Sequence, residues 1–385
     1  MYQKLKQKYK ILKQSFISIN WNNTWEEEYK YLETLIERRK SRMGSFIFDS
    51  LFQYQAQSYK VKLYQIVLLN IICFFGAVFL ILKGFFYFKV KFFQKYDAVY
   101  YYSLDNIPYE IKNEYNLIHQ KQNEAYLGLL DLVYLINILF KIKFNFIIFS
   151  SVVFRISLAS YAIKKYHIDF IMCDMEYSCA SGILHDYCTK KSVKLYNYMH
   201  GEKVLTLRDT FSSFDRFYVW DEKYEEIFKL LHTKSEIIVS NPWLNISVNR
   251  DRVKSKSICY LLKGIENEYE IKKIQNIFNI FKGFGYEIFV KDHPRQTTVS
   301  MCFQNVNIID KTIPFLTIIE KYEIFIAQFS TILTQCYCMN IPFLIDDVSN
   351  SNLFMKLKER KYPLSENTNL ISNFLNENIN NNTSL

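Results

Sequence analysis

No glycine precedes Gly44, and nowhere does the chain carry a GxGxxG or Walker sequence. None of the common glycine-rich loops therefore marks a nucleotide cofactor. The eight cysteines form no CxxC pair: Cys336 and Cys338 are two apart, and Cys173, Cys179 and Cys188 are scattered. None stands near a histidine in metal-ligand spacing, which leaves reduced cysteines acting as small core residues and implies a reducing compartment. An Arg-rich arm, an RNP-like aromatic motif and zinc-finger spacing are all missing, so no nucleic-acid partner is expected. No DxD motif stands at a strand end. "IDD" at 345–347 reads as a strand-end turn, and neither a metal clamp nor a cofactor is expected. The N-terminus "MYQKLKQKYKILKQSF" is basic and amphipathic but lacks the apolar core of a cleavable signal.

Hydrophobic residues make up half of the 385, and 17% are aromatic, which excludes a disordered chain and allows two α/β domains. The formal net charge of +10 suits anionic headgroups or phosphate-bearing substrates. "IVLLNIICFFGAVFLIL", residues 66–82, has Asn70 as its one strongly polar member and lies at the lower edge of spanning length. Lys60 and Lys62 precede it, and Lys83, Lys89 and Lys91 follow it, so the flanks set no orientation. Membrane-surface association is the favoured reading, with a true span and a core helix as alternatives.

Residues 1–95 read as a helical, membrane-proximal region. From 96 a strand–helix alternation builds. "YDAVYYYSLDN" is a strand and a polar turn, and 121–166 is mostly helical. "IDFIMCD", "VKLYNYMHG", "FDRFYVW" and "SEIIVSNPW" then read as strands, with the small-residue helix "SCASGILHDYCTKKS" placed to pack closely on a sheet. Residues 96–244 form one Rossmann-like domain, 245–256 a polar linker, 257–365 a second Rossmann-like domain, and 366–385 an Asn-rich tail. Short loops between alternating elements predict parallel, doubly wound sheets.

The chemistry-bearing residues fall at strand ends, where such folds place their sites. Lys291, Asp292, His293, Pro294 and Arg295 follow "YEIFV". Gly264 sits in the loop "KGIENE". Ser330 and Thr331 stand where a strand gives way to a helix, so a hydroxyl and free N–H groups meet in an anion site. Asp174 and Glu176 end the "IDFIM" strand, and His200-Gly201 ends the next. Glu202, Asp209 and Asp215 read as ordinary loop acids. His119, His167, His185 and His232 read as surface or structural residues on helices or their ends.

"KDHPR" followed by "AQFST" resembles the HP and Ser/Thr motifs of bacterial sialyltransferases and capsular polysialyltransferases. "YMHGE" with "FDRFYVWDEKY" is similar to the His-Gly segment of the teichoic-acid CDP-glycerol and CDP-ribitol transferases. The resemblance covers roughly residues 168–347. It implies a GT-B fold, α/β with two Rossmann-like domains facing a central cleft, preceded here by the extra helical region. It also implies an inverting, metal-independent glycosyltransferase of capsule or lipopolysaccharide synthesis at the inner face of the cell membrane. The donor would be a CMP-linked acidic sugar such as CMP-sialic acid, and the acceptor a glycan or lipid-linked glycan. The alternatives are a CDP-polyol phosphotransferase and a non-catalytic membrane-associated scaffold. His293, Pro294, Lys291, Arg295, Ser330, Thr331 and Gly264 would hold the donor's nucleotide and phosphate. The general base would be His200 first, Asp174 next and Glu176 third. "CDMEYS" departs from the sialyltransferase acidic motif in lacking a glycine directly after the acids, so the base stays open between these residues.

Overall fold

The computed structural model describes residues 21–40, 46–85, 94–101, 104–243, 246, 248–249, 251, 253–294 and 298–383. The chain divides into two compact units, one of residues 1–200 and 205–242, the other of 201–204 and 243–385.

Among the described residues unit 1 opens with three helices, α1 (Trp25–Lys40), α2 (Phe46–Gln57) and α3 (Leu63–Phe85). Next come β1 (Ala98–Tyr100), α4 (Tyr109–Glu114), β2 (Leu117–His119), α5 (Leu129–Lys141), α6 (Phe146–Tyr166) and β3 (Phe170–Cys173). It closes with α7 (Ser181–Lys190), β4 (Lys194–Tyr198), β5 (Ser213–Val219), α8 (Glu222–Leu230) and β6 (Lys234–Val239). The strands form one sheet in the order β2-β1-β3-β4-β5-β6, with every pairing parallel. All four residues of β3 are buried, as a parallel strand covered on both faces requires. The strand order reverses between β1 and β3, and the crevice at such a point is where doubly wound sheets take ligands.

The N-terminal helices are built into this unit. Gly182, in the small-residue stretch, faces α2 rather than the sheet: a Cβ there would lie 2.4 Å from the Phe46 carbonyl oxygen. The Ser50 hydroxyl accepts the N–H of Ile183 at 3.1 Å. Leu32, Leu35, Phe52 and Ala56 share a core with Leu207 and Phe211. The apolar run at 66–82 lies within α3, which rests on α6. Asn70 is polar because of α6: its Oδ1 accepts the Phe146 N–H at 2.9 Å and so satisfies a first-turn donor of that helix. His119, expected on a helix, is the last residue of β2, a strand too short for periodicity to reveal.

Unit 2 contains β7 (Lys254–Leu261), α9 (Glu268–Gly283), β8 (Glu287–Lys291), β9 (Asn307–Ile309), α10 (Phe315–Ile318) and β10 (Tyr322–Ala327). Its remaining elements are α11 (Thr331–Cys338), β11 (Phe343–Ile345), α12 (Ser351–Glu359) and α13 (Ile371–Thr383). β7 starts at Lys254, so the last three positions of the 245–256 stretch are strand. The sheet order is β11-β10-β7-β8-β9, again all parallel, and it reverses between β7 and β10. Helix α9 begins with a reciprocal capping box, Asn267 Oδ1 accepting the Glu270 N–H and Glu270 Oε2 accepting that of Asn267, both at 3.0 Å. It stops at the two glycines, Gly285 taking φ +83°. The Asn-rich tail begins as structure: Ile371 is fully buried, and the Phe374 ring stacks on Phe281 at 5.1 Å between centroids. Each unit is thus a Rossmann-like fold on its own parallel sheet.

Candidate active site

In unit 1 the carboxyl ends of β3 and β4 gather Asp174, Glu176 and His200. β3 ends at Cys173, so Asp174 is the first residue outside the sheet, at the strand beside the crevice. His200 lies two residues beyond the end of β4. Its Nδ1 stands 3.0 Å from Glu176 Oε1 and 3.9 Å from Asp174 Oδ2. The three side chains differ in access: His200 is 27% exposed, Asp174 12%, and Glu176 is sealed.

Glu176 is held on several sides. Its Oε1 accepts the His200 N–H at 3.3 Å, and its Oε2 accepts from Asn197 Nδ2 at 3.3 Å. Asn197, inward-pointing on β4, also accepts the Met175 N–H through Oδ1 at 2.6 Å. Gln53 of α2 donates to the Glu176 carbonyl at 3.0 Å, and Gln57 to that of Tyr177 at 2.6 Å. The Tyr177 ring lies 5.1 Å from the His200 ring. The 174–177 loop is therefore clamped from the sheet side and from the N-terminal helices. Nothing in the sequence pattern announced Asn197, Gln53 or Gln57, because each acts across a long separation in the chain.

Burial is the largest influence on Asp174 and pushes its carboxyl up to about 7. The neighbouring Glu176 pushes in the same direction, while His200 and Arg155 oppose. A carboxyl brought to that range is matched to proton transfer near neutral pH.

In unit 2 the loops after β7 and β10 flank the reversal of strand order. Gly264, three residues past β7, takes φ +77°, a left-handed conformation that glycine adopts without steric cost. Glu266 bridges the turn, accepting the Lys263 and Gly264 N–H groups at 2.5 and 2.8 Å. After β10, Ser330 is the N-cap of α11, its Oγ accepting the Ile332 N–H at 3.2 Å while its own hydroxyl hydrogen stays available as a donor. Thr331 Oγ1 accepts the Glu202 N–H at 2.9 Å. Gly201, at φ +68°, leaves its missing Cβ 3.7 Å from that same oxygen.

His293 and Pro294 follow β8, one strand away from the crevice, and both are exposed. Arg295 lies outside the described residues. Asp292 closes their loop by accepting the N–H groups of Val299 at 2.7 Å and Ser300 at 3.0 Å. Lys291 is buried, and its ammonium donates to the carbonyls of Asp310 and Lys311 at 3.1 and 2.9 Å. Burial holds its pKa below the usual lysine value.

Several acids expected in loops have structural duties. Glu202 is buried against Thr334, and Asp209 is fully buried in a two-bond pair with Arg208 at 3.0 and 3.1 Å. Asp215 sits within β5. Its Oδ2 stands 3.3 Å from His185 Nε2, and His185 Nδ1 meets Ser213 Oγ at 3.0 Å. This Ser–His–Asp order mimics a hydrolase triad, but Ser213 is fully buried near the amino end of β5, so no substrate reaches it. Asp346 of "IDD" accepts from the Tyr260 hydroxyl and from the N–H groups of Val348 and Ser349, so it holds a turn. Among the described residues, no group of three or more His, Cys, Asp or Glu side chains is arranged to hold a metal ion.

No protein-family model matches the chain, and no curated protein matches its sequence. Solved structures similar to it include three transferases. The pneumococcal O-GlcNAc transferase GtfA, in complex with UDP and GlcNAc, is 8% identical over 55% of this chain and 56% of its own, with a TM-score of 0.34. The spinosyn rhamnosyltransferase SpnG, with spinosyn aglycone, is 10% identical over 68% and 84%, with a TM-score of 0.34. An α/β-galactoside α-2,3-sialyltransferase from Photobacterium phosphoreum is 12% identical over 74% and 100%, with a TM-score of 0.35. The chain spans just over half the length of the first of these. At such TM-scores the likenesses carry no weight, and fold and site stand on the chain's own strands and side chains.

Proposed function

We infer that the protein is a glycosyltransferase using a nucleotide-activated sugar. One observation carries this reading. A carboxyl tuned to about 7 stands at the crevice of one parallel sheet, and an N-cap serine with a positive-φ glycine loop stands at the crevice of the other. The first arrangement suits deprotonation of a hydroxyl, the second binding of a phosphate.

Unit 2 takes the donor's phosphate on Ser330, Thr331 and the amino end of α11, with the Gly264 loop beside them. His293 and Pro294 shape the loop after β8, and Lys291 braces it from within. Unit 1 supplies the base. Glu176 is sealed and fully engaged, so it orients His200 rather than taking a proton. Asp174, more accessible and held near 7, is the base, with the His200 imidazole beside it. The acceptor hydroxyl oxygen attacks the anomeric carbon while Asp174 takes its proton. The bond from that carbon to the donor phosphate breaks, and the nucleotide leaves with the electron pair, its growing charge met by the donors at α11. A CMP-linked acidic sugar is the first candidate donor, on the resemblance of "KDHPR" and "AQFST". The acceptor would be a glycan of the bacterial surface.

Thermal protection of the purified chain by CMP, CDP-glycerol and UDP tests the donor class. CMP should protect wild type, and Ser330→Ala should lose that protection. Protection by none of the three would overturn the reading. Preferential protection by CDP-glycerol would favour transfer to phosphorus by the same residues.

A further inference from the structure

We propose that α3 and α5 form a docking face that enters one leaflet of a bilayer bearing anionic headgroups, with α3 lying in the membrane plane instead of crossing it. This stands independently of the glycosyl-transfer reading.

Helix α3 is long and apolar enough to span, as is α6, most of which is buried within unit 1. The packing of α3 is one-sided. Leu69, Cys73, Ala77 and Gly84 are buried in a stripe along its length. Asn70 caps α6, Phe74 meets the Phe146 ring edge-on at 5.0 Å, and the Gly84 carbonyl accepts the Leu127 N–H at 3.2 Å. A spanning helix would have to leave α6, uncovering that stripe and the first turn of α6.

The other side of α3 is apolar and open. Val67, Ile71, Phe75, Phe79 and Leu82 are each at least half exposed. Helix α5, packed on the same α6, carries its own apolar face of Leu129, Leu130, Val133, Ile136 and Phe140, all more than half exposed. The two helices run antiparallel. Gly84 meets Leu127 just before α5, and Asn70 meets Phe146 just after it. Fourteen residues of α3 and the thirteen of α5 both cover about 20 Å. Apolar surface on this scale marks an interaction site.

Charge identifies the occupant. No Asp or Glu occurs between Asp49 and Asp97. The one acid of α5, Asp131, is buried and accepts from Ser160 at 2.6 Å, Tyr187 at 2.9 Å and the Gly128 N–H at 2.9 Å. Lys60, Lys62, Lys141 and Lys143 are exposed at the end where α3 begins and α5 finishes. Lys60 is paired with Glu27 at 3.8 Å, which leaves Lys62, Lys141 and Lys143 to meet anions at that end. Anionic headgroups pair with those lysines while the acyl region takes the aromatic and aliphatic side chains.

The test is flotation of the full chain with sealed phosphatidylcholine vesicles, with and without phosphatidylglycerol. Binding should require phosphatidylglycerol. Phe75→Glu with Phe79→Glu, and separately Leu130→Glu, should weaken it more than about tenfold while circular dichroism and Tm stay at wild-type values. Cysteines placed at Leu63→Cys and Phe85→Cys, each with Cys302→Ser and Cys338→Ser to remove the accessible native thiols, should both react with an impermeant maleimide added outside the vesicles. Protection of one end would show a span and overturn the in-plane arrangement. Absence of flotation, or dimers that the glutamate variants turn into monomers, would overturn the membrane as occupant.

Discussion

Replacing Asp174 with Asn separates stability from catalysis. The carboxyl sits at about 7 in the fold against 3.8 for the free side chain, chiefly through burial. A raised pKa means that the folded state holds this proton more tightly than the unfolded chain does. The contribution of this group to stability is therefore most favourable below about pH 4, where both states are protonated, and falls as pH rises towards 7. At about 1.36 kcal/mol per unit, the loss approaches ~4 kcal/mol by pH 8. Asn carries no such penalty. In paired thermal melts from pH 4 to 8, the variant should match wild type at the acid end and gain towards neutrality, by roughly 10 °C in Tm at most. Comparing the two proteins cancels the titrating groups that do not interact with Asp174. The same variant should lose about 10²–10⁴ in kcat if Asp174 takes the acceptor's proton, and the wild-type rate should rise with pH to a plateau above about 7. A Tm difference that stays flat with pH would refute the argument from burial. Full activity in the variant would return the role of base to His200.

His200→Gln removes a neighbour that lowers the Asp174 pKa, so the acid limb of the pH–rate profile should move above 7; a profile that loses its limb altogether would make His200 the base. Gly182→Ala forces a methyl onto the Phe46 carbonyl and should cost about 1–3 kcal/mol in denaturant melts, showing that α2 is integral to unit 1. Asp215→Asn weakens the His185 contact, the Lys194 ion pair and the acceptor of the Leu195 N–H, and should cost about 1–3 kcal/mol at pH 7. Because the fold depresses the Asp215 pKa, that gap should close as pH falls below about 4. Ser330→Ala should remove about 1 kcal/mol of helix capping, with nucleotide affinity, read by titration calorimetry, falling further than that loss explains.

Most elements of both sheets were legible in the residues themselves, because a buried parallel strand is a short apolar run and its helix has a 3.6-residue period. The capping box at Asn267, the glycine stop at Gly285 and the N-cap Ser330 are similarly local, each set by bonds within a few residues. Their placement at strand ends is why His200, Asp174, His293 and Ser330 stood out as candidates. Strand order is a different matter. It depends on which edge of β1 or β7 the later strand joins, and no local period records that choice, although it decides which loops share a crevice. Burial likewise sums contributions from distant segments. It sealed Glu176, raised Asp174, turned Asp209 and Asp346 into structural acids and tied Lys291 to two carbonyls. The run at 66–82 shows the division most plainly. Composition makes it apolar, but only packing against α6 explains Asn70 and covers one side of the helix, because the partners of a helix face are supplied by residues far away in the chain.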